Sequence, residues 1–126
     1  MSQSEYLDLE QTQPYAMMRV RESISSLADT QVLEEMDDVV KRLRSEQTAD
    51  VIVDLEQAAY FGSTMLEALR MLWNDVRTRG GCLVLCNISS VGREILEISH
   101  FNRIWHLAAN RSEALKWLED LGAPEV

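Results

Sequence analysis

The clearest pattern in the chain lies between residues 29 and 45, where apolar residues recur at intervals of three and four. That spacing places the apolar residues on one face of an α-helix and the charged residues on the other. The apolar face consists of Val32, Leu33, Met36, Val39, Val40 and Leu43, and the polar face consists of Glu34, Glu35, Asp37, Asp38, Lys41 and Arg42. We therefore predict an amphipathic helix that begins at Asp29 and exposes an acidic side to solvent.

A second helical stripe lies between residues 65 and 76 and consists of Met65, Leu66, Leu69, Leu72, Trp73 and Val76. Two hydroxyl residues, Ser63 and Thr64, precede this stripe, and we predict that the helix begins at one of them. Thr64 has a glutamate three residues later, which is the spacing of a capping box, so the pattern predicts that Thr64 caps the helix. Gly80 and Gly81 supply the stop.

Short apolar runs without helical spacing predict buried strands. Two of them, DVIVDL at residues 50–55 and CLVLCNI at residues 82–88, are rich in aliphatic residues, and RIWHL at residues 103–107 also has strand character. Weaker strand signals at Tyr6–Leu9 and Tyr15–Val20 are separated by a polar, proline-containing turn. We expect these two segments to form a hairpin near one edge of a sheet.

Two shorter helices complete the pattern. One lies in SSVGREILEI after a serine cap, and the other lies in NRSEALKWLEDL, where Asn110 and Glu113 form a capping pair. Strands and helices alternate from residue 50 onward, which is typical of an α/β fold with parallel inner strands. We predict a single α/β domain over residues 1–126, with a hairpin region at residues 1–21 and an α/β body at residues 29–120. Its mixed sheet should have four or five strands, with about four helices.

The net charge of the chain indicates which classes of partner it is suited to bind. The chain of 126 residues carries 12 basic and 21 acidic residues, a net charge of -9, and this charge repels phosphate backbones and anionic lipids. Residues 1–60 contain 13 acidic and 5 basic residues, against 8 and 7 in residues 61–126. We therefore expect a protein partner with a basic surface, and no nucleic acid or membrane partner. The absence of a leader or spanning segment predicts a cytoplasmic location.

Catalytic and metal-binding patterns are not found in the sequence. Cys82 and Cys86 are predicted to be buried free thiols on one face of a strand, and the chain has no CxxC or HExxH spacing. His106 lies between Trp105 and Leu107, which is more typical of a packed residue than of a catalytic one. Neither GxGxxG nor GxxxxGK[ST] occurs. We predict no enzyme activity, no metal and no cofactor.

The segment from residue 50 to residue 118 resembles the STAS domain of bacterial anti-sigma factor antagonists. Both show a strand, a loop with adjacent hydroxyls, a helix, Gly-Gly, a strand, a short helix, and a final strand and helix. In that family the loop typically reads D-S-[ST]-G-L, and an anti-sigma factor that is itself a kinase phosphorylates the first hydroxyl. This chain has G-S-T-M-L at residues 62–66. The resemblance implies Ser63, or alternatively Thr64, as the phosphorylated residue, and Gly62, Ser63, Thr64 and Met65 as the partner-binding loop.

The chain departs from the family pattern at several positions. Gly62 replaces the acid and Met65 replaces the glycine of the loop. Where the family has a G-E-[LV]-D segment, this chain keeps Glu22 but has Ile24 or Ser25 in place of the second acid. Three hypotheses therefore stay open: a regulatory module switched at Ser63, a STAS subunit of a transporter-associated or stress-sensing complex that is never phosphorylated, and a domain that binds a small ligand or nucleotide.

Overall fold

The structure is a computed structural model, which describes residues 5–12, 15–23 and 29–122. It contains a mixed five-stranded sheet and four α-helices, as the sequence predicts, and the strand order is β1-β2-β3-β4-β5. The strands are β1 (Leu7–Thr12), β2 (Tyr15–Val20), β3 (Asp50–Asp54), β4 (Leu83–Cys86) and β5 (His106–Ala108). The helices are α1 (Asp29–Ser45), α2 (Ser63–Thr78), α3 (Ser90–Ile98) and α4 (Arg111–Gly122).

The hairpin and the parallel strands form one continuous sheet. β1 and β2 are antiparallel, with Leu7 opposite Val20 and Thr12 opposite Tyr15. β2, β3, β4 and β5 run parallel to one another. The carboxyl ends of β3, β4 and β5 therefore lie along one edge of the sheet, and the loops that lead into α2, α3 and α4 begin there.

The sheet has a core on each face. On one face, buried residues of the strands pack against α1, α2 and α3, as the helical stripes predict. On the opposite face, buried residues of β2, β3, β4 and β5 pack against α4. The second core consists of Met17, Ile52, Val84, Cys86, Ala108, Ala114 and Leu118. The two cysteines belong to this face, as predicted, with Cys86 buried and Cys82 half-buried.

One residue of the predicted acidic face is buried. Glu35 is 4% exposed, and its Oε1 accepts hydrogen bonds of 3.0 Å from the backbone N–H groups of Tyr6 and Leu7. Its Oε2 accepts a bond from the side-chain amide of Gln31 at 3.0 Å. The prediction that Glu35 faces solvent is wrong, because the start of edge strand β1 presents two backbone donors that this carboxylate satisfies.

The last strand begins later than the sequence indicates. Residues 103–107 were predicted as a strand, but Phe101–Arg103 form a 3-10 turn and β5 begins at His106. His100 precedes the turn in a left-handed conformation, with φ of 65°. Trp105 stacks on Phe101 with the ring centroids 4.5 Å apart, so apolar packing explains the strand-like composition of this segment. None of the helices in the described ranges is long and apolar enough to cross a membrane.

Candidate functional site

Asp54 organises the carboxyl edge of the sheet. It is the last residue of β3, and it is 1% exposed. Its Oδ1 accepts hydrogen bonds from the backbone N–H of Glu56 at 2.9 Å and from the side-chain amide of Asn87 at 3.1 Å. Its Oδ2 accepts a bond from Nε of Arg111 at 2.6 Å. One carboxylate thus connects the loop after β3, the loop after β4 and the first turn of α4.

The charge of Asp54 is retained despite its burial. Burial raises the pKa of this carboxyl group, but the hydrogen bonds from Glu56, Asn87 and Arg111 outweigh that effect, so the pKa is lowered from its ordinary value. Each partner donates to the charged form. The carboxylate therefore stabilises the loop arrangement and does not act as a proton donor at neutral pH.

Ser89 holds the loop that precedes α2. Its hydroxyl donates to the carbonyl oxygen of Ala59 at 2.6 Å and accepts from the backbone N–H of Gly92 at 2.9 Å. The predicted serine cap of α3 is thus confirmed, and the same side chain connects α3 to the loop after β3. Packing is tight here, because a Cβ atom at Gly92 would lie 3.0 Å from the ring of Phe61.

The predicted site residues lie at the start of α2, where the loop has ended. Gly62 is the N-cap, and Ser63, Thr64 and Met65 form the first turn of the helix. The side chain of Ser63 is exposed, that of Thr64 is half-buried, and Met65 is fully buried in the core. The four residues that the sequence pattern selected are adjacent in the structure, and Ser63 is the most exposed of them.

The prediction that Thr64 caps α2 is wrong. The cap position belongs to Gly62, whose backbone is extended, and no side chain makes a capping hydrogen bond there. Thr64 is already helical, so its hydroxyl does not have the backbone geometry that a cap requires. Glu67 is exposed, one turn further along the helix. The cap lies two residues before the position that the capping-box spacing indicated, and the helix begins at Ser63, one of the two predicted starts.

Gly62 has room for a larger side chain. Its φ of -104° is accessible to any residue, and a Cβ atom built there meets nothing within 4 Å. A carboxylate would therefore fit at this position without a change in the backbone. Ile24 and Ser25, the other positions where the family acid is replaced, lie outside the described residues.

Exposed apolar residues in the loop before the hydroxyl pair and on α3 were missed by the sequence reasoning. Tyr60, in the loop before α2, is 48% exposed, and its backbone N–H donates to the hydroxyl of Ser23 at 3.3 Å. On α3, Val91 is 49% exposed and Ile98 is 72% exposed. Val91 and Ile98 are seven residues apart, which places them on one helical face. The only sequence signal was the apolar residue at each position, which does not distinguish an exposed stripe from a core stripe.

The cysteines and histidines do not form a reactive cluster. Burial raises the pKa of the Cys86 thiol to about 12, and it also raises the pKa of the Cys82 thiol. Burial lowers the pKa of His106, whose ring stacks on Trp117 with the centroids 4.0 Å apart. Across the described ranges, no three His, Cys, Asp or Glu side chains are grouped so that they could hold a metal ion.

The comparisons with known proteins agree on the fold. The family model of the STAS domain matches residues 6–114. A similar solved structure is an anti-sigma-factor antagonist (STAS) domain protein from Planctomyces limnophilus, with 20% identity, coverage of 91% of this chain and 99% of that chain, and a TM-score of 0.75. The chain matches no curated protein sequence at a significant level.

Two further solved structures are similar at low identity. The Bacillus cell fate determinant SpoIIAA, in its phosphorylated form, has 16% identity, coverage of 87% of this chain and 96% of that chain, and a TM-score of 0.63. A sulfate transporter family protein from Wolinella succinogenes has 16% identity, coverage of 84% of this chain and 85% of that chain, and a TM-score of 0.71. Likeness at these identities shows a common fold.

Proposed function

The chain belongs to the STAS domain family, and we propose that it is a non-catalytic regulatory domain that acts as an anti-sigma factor antagonist. In this proposal it binds a kinase-like anti-sigma factor in the cytoplasm, and phosphorylation of Ser63 switches the binding off. Support comes from the structural likeness to an anti-sigma-factor antagonist and to a protein solved in its phosphorylated form.

The observation that carries the proposal is the placement of Ser63. Its hydroxyl is exposed at the first helical residue of α2, and the preceding loop is held by Asp54 and by Ser89. Among the described residues, none forms a hydrogen bond with this hydroxyl. A kinase can therefore reach Ser63 without unfolding the site, and modification breaks no existing contact.

A phosphate at Ser63 would affect docking more than folding. The free N–H groups of the first turn and the helix dipole favour an anion at this position, so the helix itself tolerates the modification. The phosphate adds roughly two negative charges and considerable bulk to the surface. A partner surface that packs closely around Ser63 must then desolvate those charges, and binding weakens.

The surface around Ser63 offers apolar contacts for a partner. Tyr60 precedes the serine in the chain, and Ser89 ties the start of α3 to the same loop, so Val91 is on the adjoining segment. Exposed aromatic and aliphatic side chains are the usual anchors of protein interfaces. We propose Tyr60 and Val91 as anchors, together with Gly62, Ser63 and Thr64. Met65 is buried and supports this surface from below.

The test is the binding of an anti-sigma factor of the kinase type to variants of this chain. Ser63→Glu should weaken binding at least about tenfold, because charge and bulk enter the interface, whereas Ser63→Ala should bind normally. Ser112→Glu is the matched control, since Ser112 is also exposed in the first turn of a helix, α4, but on the other face of the sheet. Equal binding by Ser63→Glu, with no phosphate on Ser63 in protein from the native cell, would contradict the proposal.

A second candidate is a STAS subunit of a larger assembly in which Ser63 is never modified. The absence of the family acid at Gly62 and the likeness to a sulfate transporter family protein favour it. Copurification from the native cell separates the two candidates. A kinase-like ATPase as the bound protein supports the switch, whereas a transporter or a large scaffold supports the second candidate.

A further inference from the structure

A groove runs between α1 and α2. The two helices connect neighbouring parallel strands and pack against each other on one face of the sheet. Two clefts, of about 610 Å³ and about 420 Å³, lie along their contact, and Asp37 and Met71 line both of them. The clefts are therefore two parts of one groove, with α1 as one wall and α2 as the other.

The floor of the groove is apolar. Leu33 of α1 and Met71 of α2 pack against the core, but each side chain is only half-buried. Both residues line the larger cleft, and Val40 continues the apolar floor into the smaller one. An apolar side chain of a partner that covered Leu33 and Met71 would remove their remaining surface from water, which favours binding.

The α1 wall of the larger cleft is acidic. Glu34, Asp37 and Asp38 line it, and all three are exposed. Asp37 pairs with Lys41 at 2.9 Å, but within the described ranges neither Glu34 nor Asp38 forms an ion pair. The larger cleft thus combines an apolar floor with carboxylates that have no cation to balance them.

This charge selects the class of occupant. Phosphate backbones and anionic lipids are repelled by it. A second copy of the chain is also disfavoured, because each copy carries a net charge of -9 and would bring further carboxylates. A segment rich in lysine and arginine is complementary. A helix is the shape that fits between two packed helices, and α1 from Thr30 to Arg44 offers it a length of about 20 Å, or about four turns.

We propose that the groove between α1 and α2 docks a basic amphipathic helix of a protein partner. The apolar side of that helix covers Leu33 and Met71, and its lysine or arginine side chains pair with Glu34, Asp37 and Asp38. None of the residues proposed to contact an anti-sigma factor lines this groove. The groove is therefore a second surface, and it docks the helix whether or not the chain binds an anti-sigma factor.

Titration with a synthetic peptide measures the docking directly. The probe is a helical peptide of about four turns, with leucines along one face and lysines along the other. The controls are a peptide of the same composition in scrambled order and one with glutamate in place of lysine. Saturable shifts of the backbone amide signals of α1 and α2, weakened by added salt, are expected for the probe alone. The proposal is overturned if the probe gives no such shifts or if the scrambled peptide binds as tightly.

A triple variant tests the acidic wall and should raise the dissociation constant of the probe at least about tenfold, through loss of the charge-assisted contacts. Its substitutions are Glu34→Gln, Asp37→Asn and Asp38→Asn. The matched control neutralises three exposed acids of α3 and α4, namely Glu94→Gln, Glu119→Gln and Asp120→Asn. Circular dichroism shows that both variants are folded. An equal effect of the two variants would mean that net charge alone attracts the peptide, and would overturn the assignment.

A photo-crosslinking amino acid in place of Met71 identifies the natural occupant in the native cell. Mass spectrometry of the crosslinked product gives the sequence of the captured segment. The control carries the same label at Leu121, which is 55% exposed on α4. We expect a segment of another protein with one basic and one apolar helical face. A segment without an excess of lysine and arginine, a segment of a second copy, or no more crosslinking than in the control would overturn the proposal.

Discussion

Arg111, in the first turn of α4, donates from Nε to Oδ2 of Asp54 at 2.6 Å, across 57 positions of sequence. Asp54 is buried, whereas the side chain of Arg111 is 41% exposed. The pair connects the centre of the sheet to the helix on its second face. It also keeps the loop before Ser63 in place, because the same carboxylate holds the N–H of Glu56.

Asp54→Asn should lower the free energy of unfolding by about 2 kcal/mol, because the neutral amide cannot accept from all the donors that the carboxylate holds. Arg111→Gln should lower the free energy of unfolding by less, about 1 kcal/mol or below, since the guanidinium of Arg111 is partly solvated. Urea unfolding measures both. The control is Asp120→Asn, an exposed residue of α4 that should change stability very little. An equally small effect of Asp54→Asn would show that the carboxylate does not hold the loops.

The stabilising effect of Asp54 should depend on pH. The pKa of this carboxyl group is lower in the folded protein than its ordinary value of 3.8, so the unfolded chain binds the proton more tightly. The contribution is complete above pH 3.8 and is lost as the pH falls through the folded pKa. Unfolding of the wild type and of Asp54→Asn in urea, from about pH 7 to about pH 3, measures it. The difference between the two proteins should narrow at the acidic end, and a difference that widens there contradicts the prediction.

Substitutions of Ser89 and of Thr64 should show which of these two hydroxyl groups caps a helix. Ser89→Ala should lower the free energy of unfolding by about 1 to 2 kcal/mol, because it removes the cap of α3 and the bond to Ala59. Thr64→Ala should lower it by less than about 0.5 kcal/mol, since Thr64 makes no capping bond. Thermal unfolding compares them. If the order of the two effects is reversed, the cap belongs to Thr64 after all.

Gly62→Asp should be tolerated and should stabilise the protein by a few tenths of a kcal/mol, because aspartate is a better N-cap than glycine and the position is open. Gly92→Ala is the contrasting variant. Its new Cβ atom would lie 3.0 Å from the Phe61 ring and 3.1 Å from a side-chain carbon of Ile88, so it should destabilise. Urea unfolding of both variants is the measurement. A clear loss of stability in Gly62→Asp would mean that the loop before Ser63 is more closely packed than the structure shows.

The hydrophobic pattern alone determined most of the secondary structure. Residues that are close together in the chain determine the helical periods of α1 and α2, the aliphatic runs of β3 and β4, and the turn signals between them. The parallel inner strands and the family resemblance followed from the succession of these elements. Even so, the start of β5 was misplaced, since the packing of Trp105 on Phe101 has the same composition as a strand.

Tertiary structure decided which polar groups matter. Glu35 looked like one more surface acid, but the N–H groups of Tyr6 and Leu7, nearly 30 positions away, make it a buried acceptor. From the sequence, Asp54 was only a residue near the end of a predicted strand. Its hydrogen bonds with Asn87 and Arg111 depend on the fold. A cleft where β4 and β5 begin likewise combines Trp73, Trp105 and Trp117 from three separate segments of the chain. The physical reason is that periodicity reports which residues lose contact with water, whereas hydrogen bonds and cavities depend on which distant groups the fold places within a few ångströms.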